Sequence, residues 1–146
     1  MKRLFATFAV MSVALSSAVF AQQVSPKQAE VDPRTSEAYS LLIQRKAKLQ
    51  SELETLLREY SGEWPAAKQL QFELDALKSE MKKMAAVDQP KVSKLTAGYG
   101  RLILRKVLLS GEIDTLLREE SSDWPTTKER QRELDLLDRE IQKIMT

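Results

Sequence analysis

Four glutamates and two lysines are the residues whose types and spacing could do chemistry. Glu52, Glu73 and Lys46 recur as Glu112, Glu133 and Lys106, each pair sixty positions apart. If each stretch of chain folds back on itself, Glu52 faces Glu73 and Glu112 faces Glu133, and a divalent cation could bridge either pair of carboxylates. Carboxylate metal sites in helical bundles add a Glu-x-x-His element, however. The 146 residues contain no histidine, so the glutamates read as solvated surface groups that repel each other mildly. No metal and no other cofactor is expected.

The absence of histidine and cysteine removes imidazole bases, thiolate nucleophiles, disulfides and nearly every zinc or haem ligand set. Gly98, Gly100 and Gly111 are scattered and form no phosphate-cradling loop. Gly111 should cost its helix about 1 kcal/mol relative to alanine and reads as a close helix contact or as drift. No catalytic constellation remains, and the chain reads as a non-enzyme.

Residues 1–21 begin with Lys2 and Arg3, run apolar from Leu4 to Phe20 and end on Val19-Phe20-Ala21. This is the pattern of a secretory signal peptide, with cleavage before Gln22. A retained anchor is the lesser reading, because the apolar run is short and broken by Thr7, Ser12, Ser16 and Ser17. An exported protein, periplasmic or extracellular in a bacterium, is expected, with no membrane span after processing. The 23 Lys+Arg and 21 Asp+Glu of the whole chain become 21 of each sign once Lys2 and Arg3 are removed. A neutral chain of evenly mixed charge argues against nucleic acid as a partner.

Residues 39–84 align with 99–144 at 23 of 46 positions, which marks an internal duplication. In the first unit Tyr39, Leu42, Leu49, Leu53, Leu56 and Tyr60 recur at spacings that put them on one helical stripe, and Leu70, Leu74, Leu77, Met81 and Met84 do the same in a second arm. Ser61-Gly62-Glu63 supplies the bend, and Pro65 suits a first helical turn. Antiparallel pairing of positions whose numbers add to 123 sets Leu42 on Met81, Leu49 on Leu74 and Leu53 on Leu70. Numbers adding to 243 do the same for Leu102 with Ile141 and Leu109 with Leu134.

The expected fold is all-α: tandem antiparallel coiled-coil hairpins, four helices in all, forming either a bundle or an elongated rod. Residues 22–36 read as a flexible leader, 37–86 as the first hairpin, 87–96 as a linker with Ser93 as a helix cap, and 97–146 as the second hairpin. One hairpin has only a narrow seam to bury. Pairing of the units, or dimerisation, should therefore cover Ile43, Leu57, Ile103 and Leu117, together with Leu104, Val107 and Leu108 of the third arm.

Lys46 and Lys106 fall at core-type positions opposite Leu77 and Leu137. Their stems should lie along the seam with the ammonium groups reaching out, which sets register or partner number, an anion site being the other reading. On the flank, Arg45 is expected beside Glu80 and Arg105 beside Glu140, as register-setting ion pairs of small net value. The longest shared run spans the turn, where Leu57, Trp64, Pro65 and Lys68 match Leu117, Trp124, Pro125 and Lys128. In one reading the indole packs the end of the coil under the lysine. In the other, the two tips present Trp64 and Trp124 to a partner, as tryptophan does at binding hot spots.

The run Leu56-Leu57-Arg58-Glu59-Tyr60, then Trp64-Pro65, then Leu70, Leu74 and Leu77, resembles the periplasmic coiled-coil hairpins of polysaccharide co-polymerase (chain-length determinant) proteins and related envelope adaptors. The resemblance covers the hairpins only and not the transmembrane helices or large α/β base of those proteins. It implies an envelope coiled-coil role and no activity. The function expected is helix-mediated protein–protein interaction, with a protein partner or a second copy, as an envelope scaffold or accessory subunit. The alternative is a small periplasmic chaperone or stress-response protein that holds clients on an amphipathic surface.

Overall fold

A computed structural model describes residues 30–60, 62–119 and 124–146. The expected export signal at 1–21 lies outside the described residues, as do Ser61 and residues 120–123 of the two turns. Among the described residues the chain is helical and contains no strand. No described helix is long and apolar enough to cross a membrane.

Each helix has a local reason to start where it does. In α1 (Glu37–Glu59) the Ser36 hydroxyl accepts the Tyr39 N–H at 3.2 Å, while Glu37 and Arg58 sit at the ends that the helix dipole favours. In α2 (Pro65–Ala85) the proline occupies the first turn, where its missing N–H costs nothing, and Lys82 and Lys83 occupy the last. A single turn, α3 (Gln89–Val92), precedes α4 (Ala97–Glu119), and Pro125 opens α5 (Pro125–Met145).

Most paired seam positions are buried, while Leu70, Leu102 and Leu134 are half-buried. Leu42, Leu49 and Leu53 of α1 and Ala67, Leu74, Leu77, Met81 and Met84 of α2 are buried, as are Leu109, Ile113, Leu137 and Ile141 of the second hairpin. Each such leucine or isoleucine contributes roughly 1.5–3 kcal/mol relative to exposure, which makes the seam the main support of each hairpin.

The two hairpins lie side by side, not end to end. Helix α4 packs against α1, α2 and α5, whereas α5 packs chiefly on α4. At the base, Ala38 donates its N–H to the Leu95 carbonyl at 3.3 Å, and the Glu37 carboxylate accepts the Ala97 N–H at 3.2 Å. A Cβ on Gly100 would stand 2.8 Å from the Ala38 Cα, so only glycine permits that approach. Further along, Lys106 reaches Glu80 and Gly111 meets Glu73. Because 106 and 111 on α4 run against 80 and 73 on α2, α4 is antiparallel to α2 and parallel to α1. Both turns therefore point to the same end of the bundle.

Three expectations change here. Side-by-side packing buries Ile103 (2 % exposed) and Val107, but Ile43 (48 %), Leu57 and Leu117 stay exposed, because the surface that buries them is the face of α4 and not of α1. The cap of α4 is Thr96, whose hydroxyl accepts the Tyr99 N–H, and not Ser93, which ends α3. The last residues of the expected leader carry regular structure. Pro33–Thr35 form a 3-10 turn, Pro33 is buried, and Val31 exchanges two hydrogen bonds of 3.0 and 3.1 Å with the Gln89 amide. In the connection, Val92 and Leu95 are buried, so 87–96 closes the base of the bundle.

Candidate interaction site at the hairpin tips

Trp64 and Trp124 occupy the N-cap positions of α2 and α5. Proline at the next residue disfavours helical backbone before it, and both tryptophans are accordingly extended, with φ/ψ of −61/133 and −63/141. Their carbonyls accept the N–H groups of Lys68 and Lys128 at 3.1 Å, starting each helix. Neither indole supplies the side-chain hydrogen bond that Ser, Thr, Asp or Asn would give there. Trp64 is 46 % and Trp124 52 % exposed.

Around Trp64 the surroundings are apolar on one side and charged on the other. Its ring lies 4.2 Å from that of Tyr60, tilted by 44°. The Lys68 ammonium is turned to the Glu63 carboxylate, and that hydrogen bond, followed by the lysine's charge, holds the Glu63 carboxyl below the usual range. The indole thus rests on Tyr60, while the lysine is engaged by Glu63. Leu57, Leu53 and Phe72 line a cleft of about 490 Å³ whose rim carries Lys68 and Arg118, the latter from the end of α4. At the second tip Leu117 and Trp124 are exposed in the same way, and position 120 holds a glutamate where the first unit has Tyr60.

The register residues behave differently in the two units. Lys106 bonds Asp138 of α5 at 2.7 Å and approaches Glu80 of α2 at 3.4 Å, tying three helices together. Burial pulls its pKa down, but the Asp138 hydrogen bond and the Glu80 charge outweigh this and hold the ammonium above the usual lysine range. Lys46 has no carboxylate partner among the described residues, because the place of Asp138 is taken in the first unit by Lys78.

The arginine pairs lie elsewhere than expected. Arg45 binds Glu73 at 3.0 Å instead of Glu80, and Arg105 binds Glu133 at 2.6 Å instead of Glu140. Each guanidinium reaches about a helical turn toward the tip, where a carboxylate needs a partner. Glu80 goes to Lys83 and Lys106, and Glu140 is exposed. The facing glutamates are likewise separated by cations. Glu73, expected in solvent, is only 3 % exposed and accepts from Arg45 and Gln69; Glu52 lies 3.8 Å from Lys48. Arg130 stands between Glu112 and Glu133, whose carboxyl the Arg105 and then the Arg130 hydrogen bonds hold below the usual range. Among the described residues no group of three or more metal-ligating side chains converges.

No family model, no curated protein and no solved structure matches this chain. Tyr60 is the tip residue that the periodicity misassigns to the seam. The charged glutamate at the equivalent position 120 was the available sign that this place is not core.

Proposed function

We propose that this is an exported, non-enzymatic helical protein that acts as an envelope scaffold or accessory subunit, binding a protein partner at its paired hairpin tips. The observation that carries the proposal is the tryptophan at both N-caps. A poor capping residue stands in both units where a serine or aspartate would stabilise the helix, and both indoles are about half exposed. Tryptophan and tyrosine are enriched at binding hot spots, and the first tip exposes one of each, Trp64 and Tyr60. Of the large exposed apolar side chains among the described residues, Leu57, Tyr60, Trp64, Leu117 and Trp124 lie at the tip end, while Val31, Ile43 and Leu136 stand apart. Clustering of this kind favours a defined contact over a chaperone's client-holding surface. Export is supported by the residue pattern of 1–21.

The test compares capture from envelope extract by the processed protein, by the Trp64→Ser, Trp124→Ser double variant, and by an Ile43→Ser, Leu136→Ser control. A single stoichiometric partner retained by the control and lost by the tip variant, at unchanged helicity, supports the proposal. Protection of several unrelated unfolded proteins, or capture that survives loss of both tryptophans, would replace it.

A further inference from the structure

The duplicated hairpins do not pack through equivalent faces. The second unit offers α4, and the first unit receives it in the groove between α1 and α2. A contact of this directional kind leaves a donor face open on one unit and an acceptor face open on the other, so nothing in its geometry stops a third unit from adding.

The two outward faces differ from the inward ones at most of the positions that make the contact, Ile43 and Ile103 being alike. On α4 the inward face comprises Gly100, Ile103, Leu104, Val107 and Gly111. The same positions on α1 are Ser40, Ile43, Gln44, Ala47 and Ser51, all exposed. A serine could not replace Gly100 in the inner contact, because its Cβ would fall 2.8 Å from the backbone of Ala38. On the receiving side, Leu41 stands 3.2 Å from the place of a Gly100 Cβ, and its counterpart in the second unit is the exposed Arg101. Glu73, which fits against Gly111 and pairs with Arg45, has as its counterpart Glu133, which pairs with the equivalent Arg105 and is further held by Arg130, the residue that replaces Leu70.

We propose that side-by-side docking of these hairpins is an extendable contact that this chain stops at two units, with polar and charged residues closing the outward face of α1 and the outward groove of α4 and α5. Arrays of stacked repeats need end units with such outer faces to stay soluble. The second copy that would fit either face is this same chain, and Ser40, Ser51, Arg101 and Arg130 are what exclude it.

The experiment makes two variants. One restores a donor face with Ser40→Gly, Gln44→Leu, Ala47→Val and Ser51→Gly; the other restores an acceptor groove with Gly98→Ala, Arg101→Leu and Arg130→Leu. After helicity is checked by circular dichroism, light scattering on the equimolar mixture should give a species of twice the mass of either variant alone. Helical variants whose mixture shows no gain in mass would overturn the proposal. A second arm needs no new association: Gly100→Ser with Gly111→Ser, which brings first-unit residues into the inner contact, should lower the unfolding midpoint by several degrees. An unchanged midpoint would also overturn it.

Discussion

Glu73 of the first hairpin lies in the notch left by Gly111 of the second, where a Cβ would stand 3.0 Å from its Cγ. Arg45 neutralises the buried carboxylate at 3.0 Å from its own hairpin. A residue that costs its helix stability thus admits a charge, and the charge is matched before the second hairpin covers it. Removing the partner of a buried charge is far more damaging than never having the pair. Arg45→Met should accordingly destabilise by about 2–4 kcal/mol, and Arg45→Met with Glu73→Gln by less, both read from urea unfolding.

The two inner glycines should respond differently to alanine. At Gly111 the crowded neighbour is a side chain that can shift, and alanine gains about 1 kcal/mol of helix propensity, so Gly111→Ala is expected within about 1 kcal/mol of the wild type. At Gly100 the neighbour is the Ala38 backbone, and Gly100→Ala should cost at least about 2 kcal/mol. Equal stability of the two variants would contradict the close crossing of α1 and α4.

The repeated lysines should separate in the same assay. Lys46→Leu replaces an ammonium without a described carboxylate partner at a seam position, and the melting temperature should rise. Lys106→Leu leaves Asp138 and the largely covered Glu80 without their shared cation, and should cost about 1–2 kcal/mol. A gain from both would show that Lys106 bridges nothing.

Alkaline titration tests the same cluster. Lys106 is held above its ordinary 10.5, and Tyr99 is raised from 10.0 first by burial and then by the Glu80 charge. Both groups bind their protons more tightly in the folded state. The stability they supply is complete below about pH 10 and falls as the pH rises past 10.0 and 10.5 toward the folded values. Urea midpoints at pH 8, 10 and 11 should decline over the last interval, and less steeply in Lys106→Leu.

At the tips, losing a tryptophan from an N-cap should raise stability. Trp124→Ser should stabilise by about 1 kcal/mol, since serine caps and the indole does not. Trp64→Ser should come out near neutral, because a similar gain is offset by losing the Tyr60 contact, worth about 0.5–1.5 kcal/mol. A loss of several kcal/mol from either substitution would return the indoles to a packing role.

Much of the fold could be read from residue spacing because the seams are periodic. Leu42, Leu49, Leu74, Leu77 and Met81 are buried as the stripes require, and the Lys106–Asp138 and Glu112–Arg130 ion pairs fall within a residue of the number rule for the second hairpin. Periodicity gives direction around one helix and no more. It marked Val107 as an apolar position for a second unit to cover without giving the face of the first hairpin that meets α4, and so it could not foresee the burial of Glu73. Long side chains also escape a rule drawn between backbone positions, as Arg45 and Arg105 do in reaching a turn further along. The replacement of Ser40 and Ser51 by Gly100 and Gly111 was visible in the aligned units, but its meaning needed the neighbouring backbone.

A docking surface built from both tips requires them to stand at one end of the molecule. With no native cysteine in the chain, spin labels on Lys68→Cys and Lys128→Cys report the separation of α2 and α5 at the tips by electron double resonance. Neighbouring helices 8–10 Å apart, with α4 between the two labelled ones, predict a narrow distribution centred at roughly 20–30 Å including the label arms. Hairpins joined end to end would separate the labels by about 50 Å or more, two helix lengths less the overlap, and a distribution centred there would contradict the account.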